Sequence, residues 1–170
     1  MNTKKKKVEL LILAEFGKDN SHIEGLKKSI KEIIHTIRDK NGNLKVDVRI
    51  GTASFSNSVL SGIFKRIEHA DIVIVDFTSN KKLSLLNYNT VFEYGLIKYK
   101  EEMNKKEKSG HIFKVYPSIQ EDKFKYLKEE ISDIAGEKIN LYKDNFQFKD
   151  DFINSFKKSI GGIYNKNNGL

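Results

Sequence analysis

Three carboxylates in this chain stand where a ligand could meet them: Glu15, Asp76 and Glu93. Glu15 follows a short aliphatic run and leads into Phe16 and Gly17, and Asp76 ends another such run with Thr78 two residues on. Glu93 comes after Asn87 and Asn89. Carboxylates accept hydrogen bonds from sugar hydroxyls, amide and hydroxyl side chains donate or accept, and aromatic faces stack on flat rings. Such a lining suits a ribose and a base better than an aliphatic ligand. Other chemistries are excluded. The chain has no cysteine, which removes disulfides, thiolate nucleophiles and cysteine-based zinc sites. His22, His35, His69 and His111 lack partners at metal-ligand spacing and read as surface or helix-end residues. No G-x-G-x-x-G, Walker loop, G-x-S-x-G elbow or H-E-x-x-H occurs. With one glycine in the first loop, a dinucleotide could not sit there as it does in a Rossmann domain.

Glu93 admits two readings. Thr90-Val91-Phe92-Glu93 has the spacing of a capping box, and a glutamate in a first turn favours the helix dipole. Alternatively, if Phe92, Leu96, Tyr99 and Met103 face the sheet, Glu93 is turned about 100° from that stripe. It would then point into a crevice at the helix N-terminus, ionised by the dipole. Asp76 has a structural reading as well, because an aspartate at a strand end often caps the next turn. Tyr88 and Tyr94 read equally well as packing residues.

The elements that must hold these groups alternate regularly. Val8 to Ala14, Lys45 to Ile50, Asp71 to Asp76, His111 to Tyr116 and Lys138 to Tyr142 read as short buried strands, the fourth stopped by Pro117. Ser21-His22-Ile23-Glu24 and Ser118-Ile119-Gln120-Glu121 read as capping boxes. The first opens a helix with Ile23, Leu26, Ile30, Ile33 and Ile37 on one face, closed by the Asn41-Gly42-Asn43 turn. The second opens one with Phe124, Leu127, Ile131 and Ile134. A helix capped by Ser56 or Ser58 carries Val59, Ile63 and Ile67. The last runs from Asp150 to Tyr164, with Phe152, Phe156 and Ile160 inward and a frayed tail from Asn165 to Leu170. Strict alternation demands parallel strands joined by right-handed crossovers. The expected fold is therefore α/β, a three-layer flavodoxin-like domain whose five-stranded parallel sheet has the order 2-1-3-4-5 and helices on both faces. One domain spans residues 1–170, with its core between Val8 and Tyr164. Ligands in such sheets bind beyond the carboxyl ends of the strands where the order reverses, between strands one and three. That rule selects Glu15, Phe16, Gly17, Asp76, Thr78, Asn87, Asn89 and the helix turn holding Glu93.

The net charge is +8, yet lysine outnumbers arginine 28 to 3 and the lysines are scattered. Base readers use arginine forks and stacked aromatics, so no specific nucleic-acid partner is expected. The lysine run Lys4 to Lys7 reads as a solvated leader. Glu15-Phe16-Gly17-Lys18 offers no small-residue cleavage site after the apolar residues, and no stretch nears the roughly 20 apolar residues of a membrane span. A soluble, cytoplasmic chain without a membrane partner is the expectation.

Ala70-Asp71-Ile72-Val73-Ile74-Val75-Asp76-Phe77-Thr78, followed by Asn87-Tyr88-Asn89-Thr90-Val91-Phe92-Glu93-Tyr94-Gly95-Leu96, resembles the linked signature of TIR-like nucleotide-binding proteins. These are similar in fold to the nucleoside 2-deoxyribosyltransferases. The likeness covers Val8 to Tyr99, and Glu15-Phe16-Gly17-Lys18-Asp19 is similar to the family's first loop. It implies cleavage or transfer at an N-glycosidic bond of a nucleoside, a nucleotide or NAD, with no further cofactor, and for bacterial members a setting in anti-phage defence. It implies that Glu93 is the catalytic carboxylate and that Asp76 and Thr78 border the ribose. Asn87 sits near the place where transferases use a second acid, which favours hydrolysis or binding over transfer. A homo-oligomer is a further implication, as is the alternative of a non-catalytic sensor or interaction module.

Overall fold

The computed structural model describes residues 7–15, 20–37, 44–51, 59–79, 86–106, 114–131, 134 and 136–169. Its elements are β1 (Val8–Leu13), α1 (Ser21–His35), β2 (Val46–Ile50), α2 (Val59–His69), β3 (Ile72–Asp76), α3 (Tyr88–Lys106), β4 (Lys114–Gln120), α4 (Phe124–Glu130), β5 (Asn140–Tyr142) and α5 (Asp150–Asn168). Every strand pair is parallel, and the order is β2-β1-β3-β4-β5. This is the three-layer flavodoxin-like arrangement. Phe16, Gly17, the Asn41 to Asn43 turn, the caps at Ser56 and Ser58, and His111 lie outside the described residues.

Both sheet faces are covered, so successive residues of a strand alternate between two cores. Val8, Leu10 and Ile12 of β1 pack with Ile23, Leu26 and Ile30 of α1 and with Phe152, Phe156 and Ile160 of α5. Leu11 and Leu13 pack on the other side with Ile67 of α2, Tyr94 and Ile97 of α3 and Leu127 of α4. The β1–β3 pair, Leu10 against Ile72 through Leu13 against Val75, lies at the middle of the sheet and carries the strand-order reversal.

Four local readings are corrected. Pro117 does not stop β4 but lies inside it, opposite Val75. Its missing N–H is turned towards β5, which begins only at Asn140, in register with Ser118. The proline therefore removes no ladder bond, and its carbonyl accepts from Asn140 Nδ2 at 2.9 Å. The capping boxes are not formed as spaced. Ser21 is the first helical residue, and the Asn20 carbonyl accepts the Glu24 N–H at 3.0 Å. Ser118 is a buried strand residue, and helix begins past it with a short 3-10 turn over Glu121–Lys123. The tail does not fray at Asn165, because Ile163 and Tyr164 are buried and carry the inner face of α5 onward. Gly169, at φ 68°, closes that helix with bonds to Asn165 and Lys166. Finally, of Phe92, Leu96, Tyr99 and Met103, expected to face the sheet from α3, Leu96 packs partly buried against the core on that side, but the stripe as a whole does not face it. Thr90, Tyr94 and Ile97 are buried instead, while Phe92 and Tyr99 are exposed.

Candidate functional site

The carboxyl ends of β1, β3, β4 and β5 meet in a layer of polar groups. At its centre is Asp76, the last residue of β3 and fully buried. Its Oδ2 lies 2.6 Å from His22 Nε2, so one proton sits between them. The Tyr142 hydroxyl is 2.9 Å from both Asp76 oxygens, and the Thr78 N–H donates to Oδ1 at 3.2 Å. Thr78 Oγ1 lies 2.8 Å from the Tyr142 oxygen and accepts the Gln120 N–H at 3.0 Å. The donors and acceptors close without a gap. Thr78 donates to Tyr142, Tyr142 and His22 donate to Asp76, and Gln120 donates to Thr78. Burial, together with the Asp76 charge, holds the Tyr142 hydroxyl protonated well above its ordinary range. The cluster stitches β3, β4, β5 and the first turn of α1 together.

Phe146 covers this cluster. Its ring stacks on Tyr142 at 6.0 Å between centroids and meets His22 edge-on at 5.2 Å. The residue holds φ 61°, a left-handed conformation that a bulky side chain adopts only when its surroundings enforce it. Two partners do so: the Ser29 hydroxyl donates to its carbonyl at 2.7 Å, and Gly25 leaves room for its ring. A Cβ at position 25 would lie 2.2 Å from the ring. Outside Phe146 a groove of about 630 Å³ runs between α1 and α5.

The other selected residues form separate neighbourhoods. Glu15 is half-buried after β1, and Ser79 Oγ lies 3.1 and 3.3 Å from its two oxygens, a clasp between the loops that follow β1 and β3. Asn87 caps α3: its Oδ1 accepts the Asn89 N–H at 3.2 Å and its own N–H reaches the Phe77 carbonyl at 2.8 Å. The Asn89 side chain is in solvent.

With Asn87 as the cap, Thr90 lies inside the helix and its hydroxyl turns back to the Asn87 carbonyl at 2.8 Å. Glu93 is thus in the second turn, too far along to close a capping box. It is half-buried, and burial pushes its carboxyl up to about 7 against the pull of Arg66 on α2. The dipole does not keep it fully ionised, as the sequence suggested, because desolvation is the larger effect and the dipole fades beyond the first turn.

Two groups come together and one stands apart. Asp76 and Thr78 share a cluster on the face of α1 and α5, and Glu15 holds Ser79 at the same end of the sheet. Glu93 sits on the helix layer of the opposite face, and among the described residues no hydrogen bond or ion pair joins it to the others. His22 does lie at a helix end, in the first turn of α1, but it is buried rather than on the surface. Tyr142, Gln120 and Arg66 were also missed. The strand-end rule reaches Tyr142, the last residue of the fifth strand as read from the sequence, and reaches Gln120 once the fourth strand is carried to its true end. His22 had a signal in its place in the first turn of α1, above the end of β1. Tyr94 packs edge-on against Phe77, whereas Tyr88 is exposed and donates to Glu130. No group of three or more histidines and carboxylates among the described residues could hold a metal ion, and no described helix is long and apolar enough to cross a membrane.

No protein-family model matches this chain, and no curated protein is similar enough to mark a relative.

Proposed function

We propose that this chain binds a nucleotide-like molecule at the carboxyl ends of β1 and β3 and hydrolyses its N-glycosidic bond, with NAD or a related nucleotide as substrate. The observation that carries the reading is Glu93, a half-buried carboxyl with an acidity near 7 in a helix that takes its cap from Asn87. Burying a carboxyl without a capping role costs stability, and perturbed acids of this kind concentrate at functional sites. In the reaction the C1′–N bond breaks with its electron pair leaving on the base, and water adds to C1′. An anion facing the ribosyl cation stabilises that transition state, and the same group can take the proton that the water gives up. Nicotinamide, cationic until it departs, leaves as a neutral base, so one carboxylate suffices. The setting in defence rests on the resemblance alone.

One observation favours a second reading, a nucleotide sensor without turnover. Asp76 and Thr78, which the resemblance sets beside the ribose, already spend their hydrogen bonds on His22, Tyr142 and Gln120. Release of free base from NAD and nucleoside monophosphates separates the two. The expected result is turnover by the parent and a loss of about 10²-fold or more in Glu93→Gln, with ligand binding little changed. An active parent matched by an equally fast variant removes Glu93 from catalysis. Binding with no release favours the sensor.

A further inference from the structure

We propose that the slot filled by the Phe146 ring is a binding site for a small flat ring that carries a carbonyl, such as a pyridine carboxamide or a pyrimidine base, and that Phe146 is the plug such a ligand displaces. The walls of the slot are aromatic. Tyr142 lies parallel to the Phe146 ring, within 17°, and His22 meets it edge-on. Gly25 on α1 has no side chain where one would strike the ring. These surfaces accept a planar six-membered ring because one lies there. The Ser29 hydroxyl donates to the carbonyl of the same residue. The present occupant is therefore a ring and a carbonyl, both supplied by one residue of a surface turn.

That turn is able to lift away. The Phe146 N–H donates to the Lys143 carbonyl at 2.8 Å, the Lys143 N–H to the Gln147 carbonyl at 3.1 Å, and the Gln147 N–H to Asn145 Oδ1 at 3.2 Å. All three bonds run within residues 143–147 and travel with them. Among the described residues, the Ser29 bond is the one hydrogen bond that joins this segment to another element. Lys143, Asp144, Asn145 and Gln147 are exposed, so Phe146 alone anchors the segment by burial. Its base is firm, because Tyr142 and Phe148 are buried and paired by a β-bridge from which the turn bends. The groove of about 630 Å³ lies directly outside, with Gly25, Ser29 and Phe146 in its lining. The displaced ring has room there, and a ligand has a way in. Once the turn lifts, Ser29 loses its acceptor, and a ligand carbonyl restores that bond. Lys28 and Lys157 in the groove are matched by Glu32 and Asp150, which favours an uncharged ligand. The slot is on the face of α1 and α5 and Glu93 on the other, so binding here is separate from the hydrolysis proposed above.

Titration of the ¹⁵N-labelled chain with nicotinamide, up to about 50 mM, tests this by amide chemical shifts. The parent is expected to bind weakly, with the Gly25 and Ser29 signals moving. Phe146→Gly is expected to bind about tenfold or more tighter, because the ligand no longer competes with the ring, and glycine suits the left-handed position. Gly25→Leu added to Phe146→Gly refills the slot and abolishes the shifts. Cyclohexanecarboxamide, the same amide on a puckered ring, is expected to bind about tenfold or more weakly than nicotinamide. Should Phe146→Gly fold poorly, the parent with nicotinamide gives a second measurement. Nuclear Overhauser contacts are expected from the ligand to Tyr142 and His22, with loss of those between Phe146 and Tyr142. No movement at Gly25 and Ser29, a Phe146→Gly variant that binds no tighter than the parent, binding that survives Gly25→Leu, equal binding of the puckered amide, or a Phe146–Tyr142 contact that persists at saturation overturns the proposal.

Discussion

Glu93 carries a cost that can be read as a pH dependence. Its carboxyl titrates near 7 in the folded chain and near 4.5 when exposed. Below pH 4.5 both states hold the proton and nothing is lost. Between 4.5 and 7 the unfolded chain releases the proton while the folded chain retains it, so stability falls as pH rises. Above 7 the full cost remains, roughly 3 kcal/mol as an upper figure. Glutamine has no such cost. Melts of Glu93→Gln against the parent at pH 4, 6 and 8 are expected to match in acid and to favour the variant increasingly up to about pH 7, then level off. A difference that is flat across pH would mean that the carboxyl is not desolvated. Asp76 makes the opposite case, a buried group whose partners are all present. Tyr142→Phe removes one donor and is expected to cost about 1–2 kcal/mol, whereas Asp76→Ala strands His22, Tyr142 and the Thr78 N–H together and costs about 3 kcal/mol or more. Urea midpoints measure both, and equal small losses would mean that the cluster is not cooperative.

At the scale of elements, the loop between β5 and α5 is fixed by the one left-handed non-glycine among the described residues, Phe146. Its ring and the missing side chain of Gly25 form a single fitted contact. Gly25→Ala is expected to cost about 1–3 kcal/mol by pushing the ring aside. In a double-mutant cycle with Phe146→Ala the two losses should sum to clearly more than the loss in the double variant, because once the ring is gone the added methyl meets nothing. Additive losses would show that Gly25 and Phe146 act independently. Helix α3 illustrates why its orientation escaped the sequence. A 3.6-residue period was visible in Phe92, Leu96, Tyr99 and Met103, but Tyr94 and Ile97 form a second apolar set on the other side. Periodicity reports that a stripe exists and not what it faces. The cap decided the rest: with Asn87 bonded to the Phe77 carbonyl the helix begins at Tyr88, three residues earlier than a cap at Thr90 would start it.

For the molecule as a whole, the charge of +8 is carried mostly by lysines spread along the chain, and spread charge gives only loose attraction to polyanions. Association with DNA or RNA is expected to disappear by about 200 mM salt, since it depends on counterion release alone. Binding that persists there would require a basic groove and would displace the nucleotide reading.

The sequence by itself determined the layers and their order. Short β-branched runs alternating with amphipathic helices leave one economical way to bury both sheet faces, and right-handed crossovers then dictate β2-β1-β3-β4-β5. It also determined that Asp76, Thr78 and Glu15 lie at the carboxyl end of the sheet, because strand ends are local features. Only the tertiary structure decided which side chains meet there. His22 and Tyr142 are 120 residues apart, and no local pattern announces that both converge on Asp76. The faces of a parallel sheet separate Asp76 from Glu93 although only sixteen positions lie between them, and that separation follows from the register of β3 and the rotation of α3. Both are set by long-range packing, to which spacing along the chain is blind.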